Sequence, residues 1–189
     1  SVSLSEAEVH WREFLAALQD RGLHGVRYIV SDDHAGLKQA REARFAGVPW
    51  QRCQFHLAQN ALHYVPNVAM RSEVARDLRG VLDADERGEA DRRLAQVVAK
   101  YAATAPKLAA WLEANVPEAF TVLCLPAAHR RRLRTTNILE RVNKEIKRRT
   151  RVATLFPNEQ SALRLVTAVL MEISEEWETN RTYLTVETN

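Results

Sequence analysis

The amino-acid sequence predicts a fold of the α/β class that is mostly α-helical. Two short segments, 26–30 and 48–56, are rich in β-branched and aromatic residues, which is typical of buried strands. Elsewhere, apolar residues recur every three or four positions, the spacing of helices that bury one face. With 189 residues, 46% of them hydrophobic, the chain is large enough for one domain with a substantial core, or for one domain with an insertion.

The N-terminal segment predicts an amphipathic helix followed by the first strand. Ser5 and Glu8 have the spacing of a capping box, in which each side chain satisfies a backbone N–H of the other residue. Gly22 supplies a stop for this helix, because glycine adopts the left-handed conformation that ends helices without strain. The strand at 26–30 then follows.

Two neighbouring carboxylates, Asp32 and Asp33, come directly after this strand, and a second helix is predicted from about residue 35 to 45. Open α/β sheets place their chemistry at the C-terminal ends of strands, just before a helix. Asp residues are also common helix caps. Either aspartate can therefore cap the helix, and one can do so while the other faces a site.

After the second strand, nearly all of the chain from about residue 56 to 111 has helical spacing, and four helices are predicted there. The last long helix is predicted to begin with Phe156 and Pro157, since proline is tolerated in a first turn. Its predicted core face consists of Leu163, Val166, Leu170, Ile173 and Trp177.

A strongly basic helix is predicted just after Asn137. Residues 130–151 contain ten Lys or Arg and two Glu, a local balance of +8, whereas the whole chain carries only +3. Such a concentrated positive charge favours a polyanion as partner. The residues of this helix predicted to contact that polyanion are Arg141, Lys144, Lys147, Arg148, Arg149 and Arg151.

Glu140 lies in the first turn of this basic helix, and Asn143 and Lys147 share its face at positions i+3 and i+7. A carboxylate among these cations is a candidate metal ligand. The alternative is that Asn137 and Glu140 form a capping box, in which Glu140 satisfies only a backbone N–H.

The two cysteines, Cys53 and Cys124, have no disulfide-framework spacing, which indicates a reducing compartment. The sequence contains neither a signal-peptide pattern nor an uninterrupted apolar stretch of 18 residues. We therefore expect a cytoplasmic protein that has no membrane partner and that associates with the nucleoid if its polyanion is DNA.

Four motifs in this order closely resemble the Mutator-type DDE transposases of bacterial insertion sequences. The motifs are Ser31-Asp32-Asp33-His34-x-Gly36-Leu37, Trp50-Gln51-Arg52-Cys53-x-x-His56, Thr136-Asn137-x-x-Glu140-Arg141-x-Asn143 and Arg148-Arg149-Thr150-Arg151-Val152. The resemblance implies an RNase H-like core with an all-α insertion before the Glu-bearing helix. It also implies cleavage and strand transfer of DNA at insertion-sequence ends, by two-metal chemistry with Mg²⁺ or Mn²⁺. Three parts are then expected: a partial core at 1–56, a helical insertion at 57–129, and C-terminal core helices at 130–189.

The resemblance also assigns roles to particular residues. Asp32 matches the second catalytic Asp and Glu140 the final Glu, so both are expected metal ligands. Supporting positions beside the site are implied for Cys53, His56, Trp50 and Asn143. The implied partners are the DNA of the insertion-sequence ends and of the target, and the complete enzyme is expected to be a homo-oligomer.

The sequence departs from the family in one respect. Family members carry a first catalytic Asp on the opening strand of the core, but Asp20, the only Asp before Ser31, lies in a helical pattern. The expectation is therefore a C-terminal transposase fragment or a truncated gene copy. Because two carboxylates hold a metal pair poorly, we expect it to be inactive by itself.

Two other functions compete with this interpretation. Cys53-x-x-His56 and Cys124-x-x-x-x-His129 provide four ligands of the types found in zinc sites, which predicts a non-catalytic DNA-binding module structured by zinc. Alternatively, the helices form only an interaction domain and the basic stretch is a solvated face.

Overall fold

The structure is a computed structural model that describes residues 7–152 and 156–179. The chain divides into two compact units, Ser1–Thr135 and Thr136–Asn189. The first unit contains α1 (Glu8–Asp20), β1 (Ile29–Ser31), α2 (Ala35–Arg44), β2 (Trp50–Arg52), α3 (Gln54–Ala61), α4 (Arg71–Leu82), α5 (Arg87–Tyr101), α6 (Pro106–Asn115) and α7 (Ala127–Leu133). Short 3₁₀ helices connect them at Leu62–Tyr64, Val68–Met70, Val116–Ala119 and Thr121–Cys124. The second unit contains α8 (Asn137–Thr150) and α9 (Glu159–Thr179).

The predicted α/β class and its helical majority are confirmed. The two strands pair side by side and in parallel, with Ile29 opposite Trp50 and Ser31 opposite Arg52. Helix α2 forms the crossover between them, since parallel neighbours cannot be joined by a tight turn. The C-terminal ends of both strands therefore lie at one edge of this small sheet.

Both strands are shorter than predicted. Residues 26–28 lie outside β1, and β2 ends at Arg52 because Cys53 is the N-cap of α3. Phe55 and His56 are consequently helical, which corrects the predicted extension of the second strand to residue 56. The length of β2 is limited by its partner β1, which ends at Ser31. The β-propensity of one segment does not predict the length of the strand with which it pairs.

The first helix and its stop agree with the sequence, but its cap does not. Gly22 has φ +101°, the left-handed conformation predicted for the stop. Ala7 is the N-cap of α1 and makes no side-chain capping bond. Ser5, the predicted capping residue, lies outside the described residues.

A hydrophobic core joins helices α3 to α6, and it confirms the four helices predicted between residues 56 and 111. The buried apolar side chains include Leu57, Val74, Leu78, Val81, Leu94, Leu108 and Leu112. These residues recur at helical spacing on one face of each helix. Helical structure continues past residue 111, through two 3₁₀ helices and α7.

Gln51 connects the small sheet to this helical segment. Its side chain is fully buried, and its Nε2 donates to the carbonyl oxygens of Arg52 and Ala119, both at 2.8 Å. Its Oε1 accepts the backbone N–H of Val122 at 2.7 Å. A buried amide is stable only when its donors and acceptor find partners. The two bonds to Ala119 and Val122 fix the 3₁₀ segments against β2.

In the second unit, α9 differs from its prediction in two ways. It begins at Glu159, after Pro157, and the Oδ1 of Asn158 accepts the backbone N–H of Ser161 at 2.9 Å. Its core face agrees only in part with the prediction, because Val169 is buried and Val166 and Ile173 are half-buried, whereas Leu163, Leu170 and Trp177 are exposed. Apolar residues fall on more than one side of this helix, so their spacing does not reveal which side is covered.

Among the described residues, no helix is both long and apolar enough to cross a membrane.

Candidate active site

Asp32 directly follows β1, at the edge of the sheet where both strands end. Its side chain is exposed. Within the described part of the chain, its carboxylate makes no ion pair and no hydrogen bond. It is therefore a carboxylate held at a strand end with its oxygens available to a ligand.

The backbone beside Asp32 is held through Ser31. The indole Nε1 of Trp50 donates to the Ser31 hydroxyl at 2.8 Å, and that hydroxyl donates to the carbonyl oxygen of Asp32 at 2.9 Å. The backbone N–H of Cys53 donates to the Ser31 carbonyl at 2.7 Å. Trp50 and Cys53, both predicted to support the site, thus contact the residue immediately before Asp32.

Asp33 is also exposed, but its carboxylate is paired. Its carboxylate pairs with Nη1 of Arg52 at 3.2 Å, and it lies 3.9 Å from Nζ of Lys38. The Arg52 side chain is only 2% exposed. A buried guanidinium requires carboxylate partners, since an unpaired charge away from water is strongly destabilising. Asp33 is therefore committed to a structural ion pair.

Neither aspartate caps α2. The N-cap is His34, whose Nδ1 accepts the backbone N–H of Leu37 at 3.4 Å. This resolves the alternative that the sequence left open, because the capping role belongs to the residue after the acidic pair.

The ring of Trp50 is itself held by cations. Nζ of Lys38 lies 4.9 Å from the ring centroid, and the guanidinium carbon of Arg41 lies 5.0 Å from it. Cations at this distance are attracted to an aromatic face. The half-buried indole is thereby fixed in the orientation in which it reaches Ser31.

Cys53 and His56 lie at the start of α3, where Cys53 is fully buried and His56 half-buried. The His56 ring packs edge-on against Phe55, with 5.4 Å between the ring centroids. The zinc alternative requires that Cys124 and His129 join these two residues. Among the described residues, no three of these four side chains bring their ligand atoms within 4.8 Å of one another. The structure therefore does not assemble the predicted four-ligand zinc site.

Glu140 belongs to the second unit, in the first turn of α8. Its Oε1 accepts the hydroxyl of Thr136 at 3.2 Å, and Thr136 is the N-cap of the helix. Asn137 is thus the first helical residue and not a cap, so the capping box with Asn137 does not form. Glu140 is half-buried, and Asn143 is exposed one turn later.

The cations of α8 fall into two classes. Glu145 pairs with Arg148 at 2.6 Å and with Arg149 at 2.9 Å, and Arg149 also pairs with Glu172 of α9 at 2.8 Å. Hydrogen bonds from Arg148 and Arg149 lower the pKa of Glu145 to about 2. The other cations of this segment are exposed and have no carboxylate partner among the described residues; they are Arg141, Lys144 and Lys147 on α8 and Arg151 at its C-cap.

Two arginines of the first unit that contribute to the +8 balance have structural partners. Arg130 donates to the backbone carbonyls of Leu123 and Leu125, at 3.0 and 2.7 Å. Arg134 pairs with Asp83 at 2.9 Å. The basic stretch is therefore not uniformly available to a polyanion. Its exposed cations without a partner among the described residues are Arg131 and the four cations of the α8 segment.

An open groove of about 600 Å³ lies between α8 and α9. Ile138 and Val142 contribute apolar surface to it, and Arg141 and Lys144 contribute charge. Trp177, which is 53% exposed, lines its α9 side.

Magnesium and manganese prefer carboxylate oxygens as ligands, and the site residues fit that preference. Asp32 provides an exposed carboxylate on a paired strand end, and Glu140 provides one on a helix. Asp33 is unsuitable because its oxygens face buried Arg52 and Lys38.

Sequence reasoning missed Arg52, Lys38 and Glu118. Of these three residues, only Arg52 could have been recognised from the sequence, because it is a charged residue within a predicted strand.

The chain matches a family model described as "Transposase, Mutator family" over residues 1–180. It is similar to the transposase for insertion sequence element IS406 of Burkholderia multivorans, with 53% identity over 97% of this chain and 47% of the relative. It also resembles the transposase for ISRM5 of Rhizobium meliloti, with 41% identity over 93% of this chain and 44% of that protein. The transposase for IS256 in transposon Tn4001 of Staphylococcus aureus is 35% identical over 93% of this chain and 45% of its own length. The chain thus spans about half the length of the curated relatives it matches.

Proposed function

The chain belongs to the Mutator family of transposases, and from this premise we propose that it supplies part of the active site and of the DNA-contact surface of a DDE transposase. The reaction is DNA cleavage and strand transfer at insertion-sequence ends. The observation that carries the proposal is the environment of Asp32, an exposed and unpaired carboxylate directly after β1.

Asp32 and Glu140 would hold the metal, which is Mg²⁺ or Mn²⁺. When bound, a pair of such ions about 3.5–4 Å apart activates the attacking oxygen and stabilises the leaving oxygen of the phosphodiester. The residues of this chain contribute the oxygen ligands and their placement. Ser31, held by Trp50 and Cys53, fixes the strand end from which the Asp32 carboxylate extends.

The sheet supports an RNase H-like arrangement for the region around Asp32. Two parallel strands joined by a helix place the carboxylate at their shared C-terminal edge, where α/β sheets bind their ligands. The helices from α3 to α6 form a cohesive hydrophobic core, consistent with an insertion that folds as a body before the Glu-bearing helix.

DNA is the proposed partner of α8. Phosphate oxygens bind well to guanidinium and ammonium groups, and such contacts carry no sequence information. Arg141, Lys144, Lys147 and Arg151 are exposed along this helix and are the proposed phosphate contacts. Because an insertion sequence has two ends that must be joined to one target, we propose that more than one copy acts together, on the DNA of the nucleoid.

A chimaeric enzyme tests this proposal. The chain replaces the matching half of the IS406 relative, and Mn²⁺-dependent cleavage of labelled insertion-sequence ends is measured. We expect Asp32→Asn and Glu140→Gln each to reduce the cleavage rate by more than about 100-fold, because a metal site supplies several kcal/mol of charge stabilisation.

Glu113→Gln is the matched control. Glu113 is exposed on α6 and makes no ion pair with the described residues, so its replacement removes one negative charge without touching the site. Cleavage by this variant is expected to equal that of the unmodified chimaera. An active Asp32→Asn chimaera would remove the basis of the proposed function.

A further inference from the structure

Four charged side chains form a closed ring next to Asp32. Arg52 contacts Asp33 and Glu118 at 3.2 and 3.0 Å, and Lys38 contacts the same two carboxylates at 3.9 and 2.7 Å. We propose that Glu118 is a positioning residue for Asp32, acting through Arg52 and Asp33. This inference rests on the proposed role of Asp32 as a metal ligand.

The ring is built as a structural unit. It contains two cations and two carboxylates, so its charges balance. Nη1 of Arg52 also donates to Oδ1 of Asn115 at 2.9 Å, and the guanidinium lies 5.5 Å from the ring centroid of Trp111. The Arg52 side chain is only 2% exposed, whereas Lys38, Asp33 and Glu118 are partly exposed. The ring is therefore anchored on its buried guanidinium, where an ion pair is stronger than in water.

The ring completes a clamp on the backbone of Asp32. On the N-terminal side, Ser31 is held by Trp50 and by the N–H of Cys53. On the C-terminal side, Asp33 is held by buried Arg52. The residue between two anchored neighbours has little backbone freedom, yet its own carboxylate is exposed and unpaired. This combination of a fixed backbone and an available side chain is what a metal ligand requires.

Glu118 links this clamp to the helical segment. It belongs to the 3₁₀ helix Val116–Ala119, 66 residues from Arg52 in the sequence. If its charge is removed, Lys38 and Arg52 together face one remaining carboxylate, that of Asp33. The excess positive charge then lies beside Asp32, and Asp33 is drawn towards the cations. Both effects weaken metal binding at Asp32.

The test is a Mn²⁺ titration of the full chain, followed by paramagnetic broadening of assigned backbone NMR signals. In the unmodified chain, the signals of residues 31–33 are expected to broaden with Mn²⁺. Glu118→Gln should raise the Mn²⁺ concentration that produces half-maximal broadening by about tenfold, the lower end of the effect of removing a residue that orients a metal ligand. Glu118→Asp, which keeps the charge, should recover most of the affinity.

Two controls make the result specific. Glu113→Gln removes one exposed negative charge of α6 outside the ring and is expected to leave the titration unchanged. Asp32→Asn is expected to abolish the broadening. If broadening is absent in the unmodified chain, or survives in Asp32→Asn, the proposed metal site itself is wrong.

If Asp32→Asn loses broadening while Glu118→Gln titrates like the unmodified chain, only the positioning role is overturned. A folded Glu118→Asp variant that needs about tenfold more Mn²⁺ than the unmodified chain would also overturn it, and this comparison with the unmodified chain applies even if Glu118→Gln does not fold.

Discussion

At the scale of single residues, Asp32 and Asp33 are adjacent and chemically identical but have different roles. Asp33 neutralises a buried guanidinium, whereas Asp32 has an exposed carboxylate with no partner among the described residues. Removal of a charged partner from a buried group costs more than removal of a solvated side chain. The pair therefore allows a stability measurement in which each residue is the control for the other.

We predict that Asp33→Asn lowers the free energy of unfolding by roughly 1–3 kcal/mol, the typical cost of losing a charged partner of a buried group. Asp32→Asn should change it by no more than about 0.5 kcal/mol, as is usual for surface substitutions. Urea denaturation at neutral pH measures both. A larger loss in Asp32→Asn than in Asp33→Asn would contradict these assignments.

The sequence predicted that Asp32 and Asp33 lie at a site, but it did not predict which of the two carboxylates is paired. A strand followed by two carboxylates identifies where a site belongs in an α/β sheet. Which carboxylate remains available depends on Arg52, Lys38 and Glu118. Glu118 is distant in sequence, and no local pattern marks it as a partner of Arg52.

At the scale of elements, some cations of α8 pair with carboxylates of the protein and others do not. Glu145 holds Arg148 and Arg149, and Arg149 also reaches Glu172 on α9. An arginine already paired in this way must leave a carboxylate before it can neutralise a phosphate. Lys144 and Lys147 have no such competitor among the described residues.

We predict that Lys144→Gln reduces the slope of log affinity against log salt for duplex DNA by about one, the effect expected for one lost phosphate contact. Arg149→Gln should change the slope much less, because this guanidinium is paired within the protein. Fluorescence anisotropy over a series of KCl concentrations measures both slopes. Equal slopes for the two variants and the unmodified chain would argue against α8 as the DNA-contacting element.

The same ion pairs predict a pH dependence. The pKa of Glu145 is lowered from 4.5 to about 2 by hydrogen bonds from Arg148 and Arg149. Because the folded-state pKa is the lower one, the contribution of Glu145 to stability is fully present above about pH 4.5. It is lost as the pH falls towards 2.

Urea unfolding midpoints of the unmodified chain and of Glu145→Gln, measured between pH 2 and 7, test this dependence. The difference between the two proteins should be constant above about pH 4.5 and should shrink below it. A difference that does not vary with pH would show that these pairs add nothing to folding.

The sequence predicts the presence of most helices but not all of their boundaries and buried faces. Helical spacing predicted α4, α5 and α6, because each has one buried apolar face. The end of β2 was predicted incorrectly, and the covered side of α9 was predicted correctly only in part. Both depend on packing partners, which are the length of β1 in the first case and the neighbours of Val169 in the second.

At the scale of the whole molecule, four motifs in a fixed order predicted the family from the sequence, and the family match over residues 1–180 confirms it. The chain spans about half the length of its curated relatives. Asp32 lies in the first compact unit and Glu140 in the second. The proposed chemistry requires that the two carboxylates share a metal site, and no local sequence pattern specifies a distance between two units.

The most direct test of this central claim is a crystal structure of the full chain soaked in Mn²⁺, with the metal located by its anomalous scattering. The account predicts a Mn²⁺ ion coordinated by carboxylate oxygens of both Asp32 and Glu140, at about the 2.0–2.1 Å typical of hard divalent ions such as Mg²⁺. The ion should be absent from crystals of Asp32→Asn. Carboxylates of Asp32 and Glu140 on opposite faces of the protein, or Mn²⁺ bound by only one of them, would contradict the shared metal site.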